Sequence, residues 1–199
     1  MKKIKHSIII AVCAAASLLL PLQASAQLGG LAKAAGGGGD LTEDSMNADI
    51  FGGFEFFAKA YGYFGEALGI ADKLAEDNAE MVAGTKGKDK AAAQKAAKKM
   101  KDKVEARVKE KINEGNPLTD KENELIKLGK EEAGKGVVKW AALGVSLAMA
   151  AKSGKADATV AAALPAAKEL VKDLPAIKDM LKTMNELSKL NKKAKKTKK

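Results

Sequence analysis

The stretch Ile50–Ile70, IFGGFEFFAKAYGYFGEALGI, holds all five phenylalanines and both tyrosines of a 199-residue chain. Its apolar residues recur at Ile50, Phe54, Phe57, Tyr61, Phe64 and Leu68, in alternating steps of four and three. That is the coiled-coil-like period of a helix that packs on other helices. Five glycines, Gly52, Gly53, Gly62, Gly65 and Gly69, oppose it, each costing a helix about 1 kcal/mol relative to alanine. Seven rings return about 1.5–3 kcal/mol each when buried. Burial wins, so this segment is expected to be helical when packed against something.

The same helix reads back to Asp40, with Glu43 as its capping partner, and forward to Val82 through Ala71 and Ala75. Unbroken, it would be about 60 Å long, so a break near the glycines is expected. Phe56, Tyr63, Ile70, Leu74 and Met81 form a second apolar stripe, and Ala58, Gly62, Gly65 and Gly69 a row of small residues. The cluster has three readings: a core, a face for a protein partner or second copy, or a lipid-contacting face. The candidate interaction face comprises Phe51, Phe54, Phe57, Tyr61, Phe64, Gly62, Gly65 and Gly69.

Beyond a turn at Gly84–Gly87, a second helix is expected from Asp89 to Glu114, with Ala93, Ala97, Met100, Val104, Val108 and Ile112 as its apolar line. Gly115, Asn116 and Pro117 stop it. Gln27–Gly84 carries ten acids and three lysines, Lys86–Lys111 eleven bases and four acids. Opposite charges on successive helices predict an antiparallel hairpin, with burial supplying the stability. No aromatic interleaves the lysines as base stacking would require, so no nucleic acid is expected.

Thr119 and Glu122 form a second capping box, followed by Leu125, Ile126 and Leu128, with Gly129, Gly134 and Gly136 loosening the helix after them. Val137–Ala151 is the most apolar run, too short and too interrupted by Lys139 to span a bilayer. It reads as a buried helix, with Trp140 in the core. After a turn at Lys152–Lys155 and a short helix at Ala156–Leu164, a nine-residue motif occurs twice, Leu164–Lys172 and Leu174–Lys182. Pro165 and Pro175 are each expected in a first helical turn, with bends there. Leu170, Leu174, Ile177, Leu181, Met184 and Leu187 face inward on a last helix ending near Leu190. Period-two strands are absent. The expected fold is all-α, an irregular bundle of four to six helices, some long and kinked at Gly or Pro.

The N-terminus has the three parts of an export signal. Lys2, Lys3 and Lys5 precede an apolar core from Ile8 to Leu20, and Ala24-Ser25-Ala26 offers small residues for cleavage between Ala26 and Gln27. Thirteen apolar residues span about 20 Å, short of the hydrocarbon core of about 30 Å. Cys13 is an ordinary apolar signal residue and leaves with His6. The layout is signal peptide 1–26, a flexible Gly/Ala-rich linker 27–40, one helical domain 41–190 and a lysine-rich tail 191–199. The expected destination is the periplasm or beyond.

Processing leaves a chain without cysteine or histidine. Disulfides, imidazole-based nucleophiles and the usual zinc, copper or haem ligands are excluded. No cofactor or metal is expected and no catalytic residue stands out. Carboxylate chemistry remains, with Asp72, Glu76 and Glu80 on one helical face and Glu131 beside Glu132, but spaced acids usually form a solvated face. Cleavage removes three of 35 basic residues and none of the 25 acids, leaving +7. Six of those charges are Lys192, Lys193, Lys195, Lys196, Lys198 and Lys199, so the body is nearly neutral. The expected function is non-catalytic, through protein–protein or self-association contacts or envelope contacts. The alternative is weak binding of the lysines to an anionic membrane surface. N-terminal sequencing of protein recovered from cells should begin at Gln27; an intact Met1 would overturn the export reading.

Overall fold

In the computed structural model the described residues are 42–116, 118–153 and 158–197. They form five helices and no strand: α1 Glu43–Leu68, α2 Ala71–Lys86, α3 Lys90–Glu114, α4 Asp120–Ser153 and α5 Ala158–Thr197. The all-α bundle is as the periodicity predicts. The export signal, most of the linker and the Asp40 cap lie outside these residues.

Thr42 opens α1 instead, its hydroxyl accepting from the Ser45 amide at 3.2 Å while Ser45 Oγ accepts from the Thr42 amide at 3.0 Å. The pairing satisfies two amide donors that a helix start leaves open. The expected break falls at Gly69, whose φ of +68° suits glycine. The Ile70 amide donates to the Gly65 carbonyl at 2.8 Å and the Gly69 amide to that of Glu66 at 3.3 Å, closing α1 as a Schellman motif. The left-handed residue also redirects the buried row. Ile50, Phe54, Phe57, Tyr61, Phe64 and Leu68 are buried, but their expected successors Ala71, Ala75 and Val82 are exposed. The second stripe takes over, burying Ile70, Leu74 and Met81.

Gly84 is helical, contrary to the expected turn. A Cβ there would lie 2.8 Å from the Ala93 nitrogen and 3.0 Å from the Asp89 carbonyl oxygen, so glycine lets α2 and the start of α3 touch backbone to backbone. The left-handed residue of this turn is Lys88, at φ +56°. Asp89 caps α3 by accepting from the Ala92 amide at 3.0 Å, and Gly115 closes it at φ +67°. Along α3, Ala93, Ala96, Met100, Val104 and Val108 are buried; Ala96 takes the place expected for Ala97, and Ile112 is half-buried.

The described residues divide into two compact units, one comprising 42–52, 137–153 and 158–175, the other 53–116, 118–136 and 176–197. In the first, Trp140 is buried and its Nε1 donates to the Ile50 carbonyl at 3.1 Å, while Lys139 pairs with Asp49 at 3.0 Å. In the second, α2 and α3 form the antiparallel hairpin, and α1 runs antiparallel to α4. There a Cβ on Gly129 would lie 2.4 Å from Cε1 of Phe64, and one on Gly136 would lie 2.9 Å from Cε2 of Phe57. These two glycines do not loosen α4 as expected; it is one helix of 34 residues that runs through them. They are seats for the two rings.

Three further expectations change. Of Leu125, Ile126 and Leu128 only Ile126 is buried, and Leu128 is exposed. Pro165 and Pro175 do not begin helices; both lie inside α5, on exposed positions. A proline forfeits one helical hydrogen bond, a loss that the buried row Leu170, Leu174, Ile177, Leu181, Met184 and Leu187 can outweigh. Finally, α5 continues past Leu190 to Thr197, because lysine and alanine are good helix formers and nothing there breaks a helix.

Seat and spacer glycines should separate in stability measurements. Gly129→Ala is expected to destabilise by about 1–3 kcal/mol through overpacking against Phe64. Gly134→Ala, where a Cβ meets nothing within 4 Å, should gain about 0.5–1 kcal/mol. Equal shifts in their urea unfolding midpoints would refute the assignment.

Candidate interaction surfaces

Four residues of the candidate aromatic face are interior. Phe54, Phe57, Tyr61 and Phe64 are each at most 2% exposed, as the core reading has it. Tyr61 and Phe64 meet edge to face, centroids 6.4 Å apart at 74°. Phe51 is half-buried, as are Phe56 and Tyr63. Phe56 carries the ammonium groups of Lys59 and Lys135 at 5.8 and 5.9 Å from its ring centre, within cation–π range.

The small-residue row does not act as one surface. Gly62 is half-buried with open space beside it. Gly65 is buried, its Cβ position 3.1 Å from Ala71 Cα and from Leu74 Cδ1, and Gly69 is the exposed break residue. Two members of the row therefore serve the α1–α2 turn.

The acidic and basic halves meet along the α2–α3 hairpin, around a residue that sequence spacing did not single out. Asp77 is 4% exposed and lies between two lysines of α3, 3.4 Å from Lys99 and 2.6 Å from Lys103. Burial pushes its carboxyl up, but the hydrogen bonds and charges of Lys103 and Lys99 together hold it below the usual carboxylate range. Lys99 also reaches Glu80 at 3.0 Å, and Lys103 donates to the Lys73 carbonyl at 2.8 Å. Arg107 Nε donates to the Leu68 carbonyl at 3.2 Å, satisfying an acceptor that the end of α1 leaves open. The α3 bases along this seam are engaged inside the fold, which lowers their use for an external polyanion. A sequence signal for Asp77 existed: an acid in the same row as Leu74 and Met81.

Other polar residues are placed singly. Asp72 and Glu76 are exposed, Glu131 lies 3.9 Å from Lys127, and Glu132 pairs with Lys135. Among the described residues no three or more His, Cys, Asp or Glu gather as a metal site would need. Glu122 completes the Thr119 capping box, accepting from its amide at 2.6 Å, and pairs with Lys111 at 3.3 Å. Burial raises its carboxyl, and the Thr119 hydrogen bonds with Lys111 bring it below its ordinary value. Lys130 of α4 donates to Asn185 of α5, and burial holds its ammonium below the usual lysine value.

Among the described residues Val82 and Leu128 are the exposed large hydrophobics, and no helix is long and apolar enough to cross a membrane. Lys192, Lys193, Lys195 and Lys196 are carried on the helical backbone of α5, with Lys198 and Lys199 outside the described residues. The cleavage pair Ala26 and Gln27 is likewise outside them. Compared with known proteins, the chain matches no family model, no curated protein and no solved structure.

Asp77→Asn should cost about 1–2 kcal/mol, below the range for fully buried pairs because both lysines keep over two-fifths of their side-chain surface in water. Because folding depresses the Asp77 pKa, its contribution is complete above the ordinary value of 3.8 and disappears as pH falls through the lower folded value. The stability gap between wild type and variant, measured by denaturant unfolding, should therefore close in acid. A gap independent of pH would count against the charged pairing.

Proposed function

We propose that the processed chain is a non-catalytic, exported helical protein whose contact element is the lysine-rich end of α5, acting on an anionic surface of the cell envelope. The observation that carries this reading is where the net charge lies. Six of seven excess positive charges fall in the last eight residues, while bases of α3 are taken up by Asp77, Glu80 and neighbouring carboxylates. A helix adds about 1.5 Å per residue, so Lys192 to Lys196 concentrates four charges within about 6 Å of axial rise.

Each lysine close to an anionic bilayer contributes about 1 kcal/mol, so six give about 6 kcal/mol before ordering costs and salt screening. That corresponds to reversible binding at about tens of micromolar. A protein partner or second copy is the other reading. Its support is the partly exposed ring of Phe56 between Lys59 and Lys135 in the second unit.

Co-sedimentation with vesicles containing anionic lipid should retain the mature protein at low salt and release it as salt rises. A chain truncated after Asn191 should stay in the supernatant. Equal binding of the two would remove the tail from the function. Concentration-dependent self-association that survives Phe56→Ala would remove the ring from the second reading.

A further inference from the structure

The α2–α3 hairpin sorts its charges along its length. Away from the turn, acids of α2 meet bases of α3: Asp77 pairs with Lys99 and Lys103, and Glu80 with Lys99. Toward the turn the acids run out. Residues 81–98 hold five lysines and a single acid, Asp89, whose carboxylate is committed to the Ala92 amide. Lys86, Lys88, Lys95 and Lys98 are exposed there and form no ion pair among the described residues. Val82, an exposed large hydrophobic, lies one helical turn before Lys86 on the same face of α2.

One of these lysines is held in a strained conformation. The Asp89 amide donates to the Gly84 carbonyl at 2.8 Å and the Lys88 amide to that of Thr85 at 3.3 Å, closing α2 as a Schellman motif. Its left-handed residue is Lys88, at φ +56°, and no other described non-glycine residue has a positive φ. The same position at the ends of α1 and α3 is a glycine, Gly69 and Gly115. A glycine stands beside Lys88 too, but Gly87 has φ −77°, which any residue adopts. The end of α2 favours a cation, but the start of α3 follows at once and disfavours one, and its first turn holds no acid. Strain at an exposed side chain points to a use outside the fold.

The exposed groups fit an anionic lipid surface. Between Phe64 and Trp140 the sequence has no aromatic residue, so the tip offers no ring for base stacking. Long lysine side chains beside an exposed valine suit a bilayer, with ammonium groups on lipid phosphates and an apolar group at the acyl boundary. We propose that the closed end of the α2–α3 hairpin is a second contact with an anionic bilayer, made by Lys86, Lys88, Lys95, Lys98 and Val82. It rests on the anionic partner proposed above and not on the lysine-rich end of α5.

Co-sedimentation of the mature chain, tail intact, with vesicles of phosphatidylcholine and phosphatidylglycerol at low salt tests the contact. Lys88→Gly should raise the thermal midpoint by relieving the left-handed strain. The same change should weaken binding about two- to fivefold, the contribution of one lysine at such a surface. Lys86→Gln, Lys88→Gln, Lys95→Gln and Lys98→Gln combined should weaken it at least about tenfold. Val82→Ser, which alters no charge, should weaken it as well. The control removes as much charge from exposed lysines elsewhere: Lys73→Gln, Lys109→Gln, Lys121→Gln and Lys127→Gln combined should have a smaller effect than the tip variant. Circular dichroism of each variant checks that the helices persist. A tip variant that binds as well as the control, or Lys88→Gly that fails to stabilise or to weaken binding, would overturn the tip contact alone. Weakening by the lysine changes but not by Val82→Ser would assign the tip to a soluble polyanion instead of a bilayer. Absence of binding by every chain, wild type included, would overturn this contact and the proposed function together.

Discussion

The rings of Phe64 and Phe57 occupy the volume that a side chain at Gly129 or Gly136 would fill. This mutual exclusion sets the register of α1 against α4, because a slide of one residue along either helix would bring a Cβ into a ring. The two seats are seven residues apart on each helix, which matches the heptad-like spacing of the α1 stripe. Ring burial also offsets the helix-weakening glycines of α1: the α1 segment holds as a helix because Phe54, Phe57, Tyr61 and Phe64 have an interior to enter.

Around that contact the charged residues play a narrower part. The hairpin of α2 and α3 buries Leu74, Met81, Met100, Val104 and Val108, and its ion pairs lie along the seam. Asp77 is the member that burial makes consequential, since a carboxylate withdrawn from water must keep its cationic partners. Arg107 adds a different service, tying α3 to the last carbonyl of α1 and so holding the hairpin to the helix that carries the rings.

The aromatic stripe of α1, the hairpin, the start of α3 near Asp89, the capping box at Thr119 and the stop at Gly115 were legible because each rests on local periodicity or local hydrogen bonding. What was not legible depended on a distant partner. Gly129 and Gly136 read as weak points in a helix until Phe64 and Phe57 are known to lie over them. Gly84 read as a turn residue, whereas the left-handed backbone falls on Lys88 and Gly84 admits the start of α3. Pro165 and Pro175 read as starts because isolated helices do not tolerate proline, but α5 is held by a long buried row. Among the candidate acids, regular spacing drew the eye to Asp72, Glu76 and Glu80, while the buried carboxylate was the one that shared a row with apolar residues.

The closure at Gly69 has a consequence for how this chain can change in length. Because the buried row passes from the Leu68 register to that of Ile70 at one left-handed residue, adding or deleting a single amino acid there would rotate α2 by about 100° about its axis. Leu74 and Met81 would turn outward and Asp77 would leave its lysines. Substitutions at Gly62, beside open space, disturb nothing comparable. The two glycines, seven residues apart in one short segment, thus mark the extremes of what the sequence can accommodate: free variation at one, and intolerance of any insertion or deletion at the other.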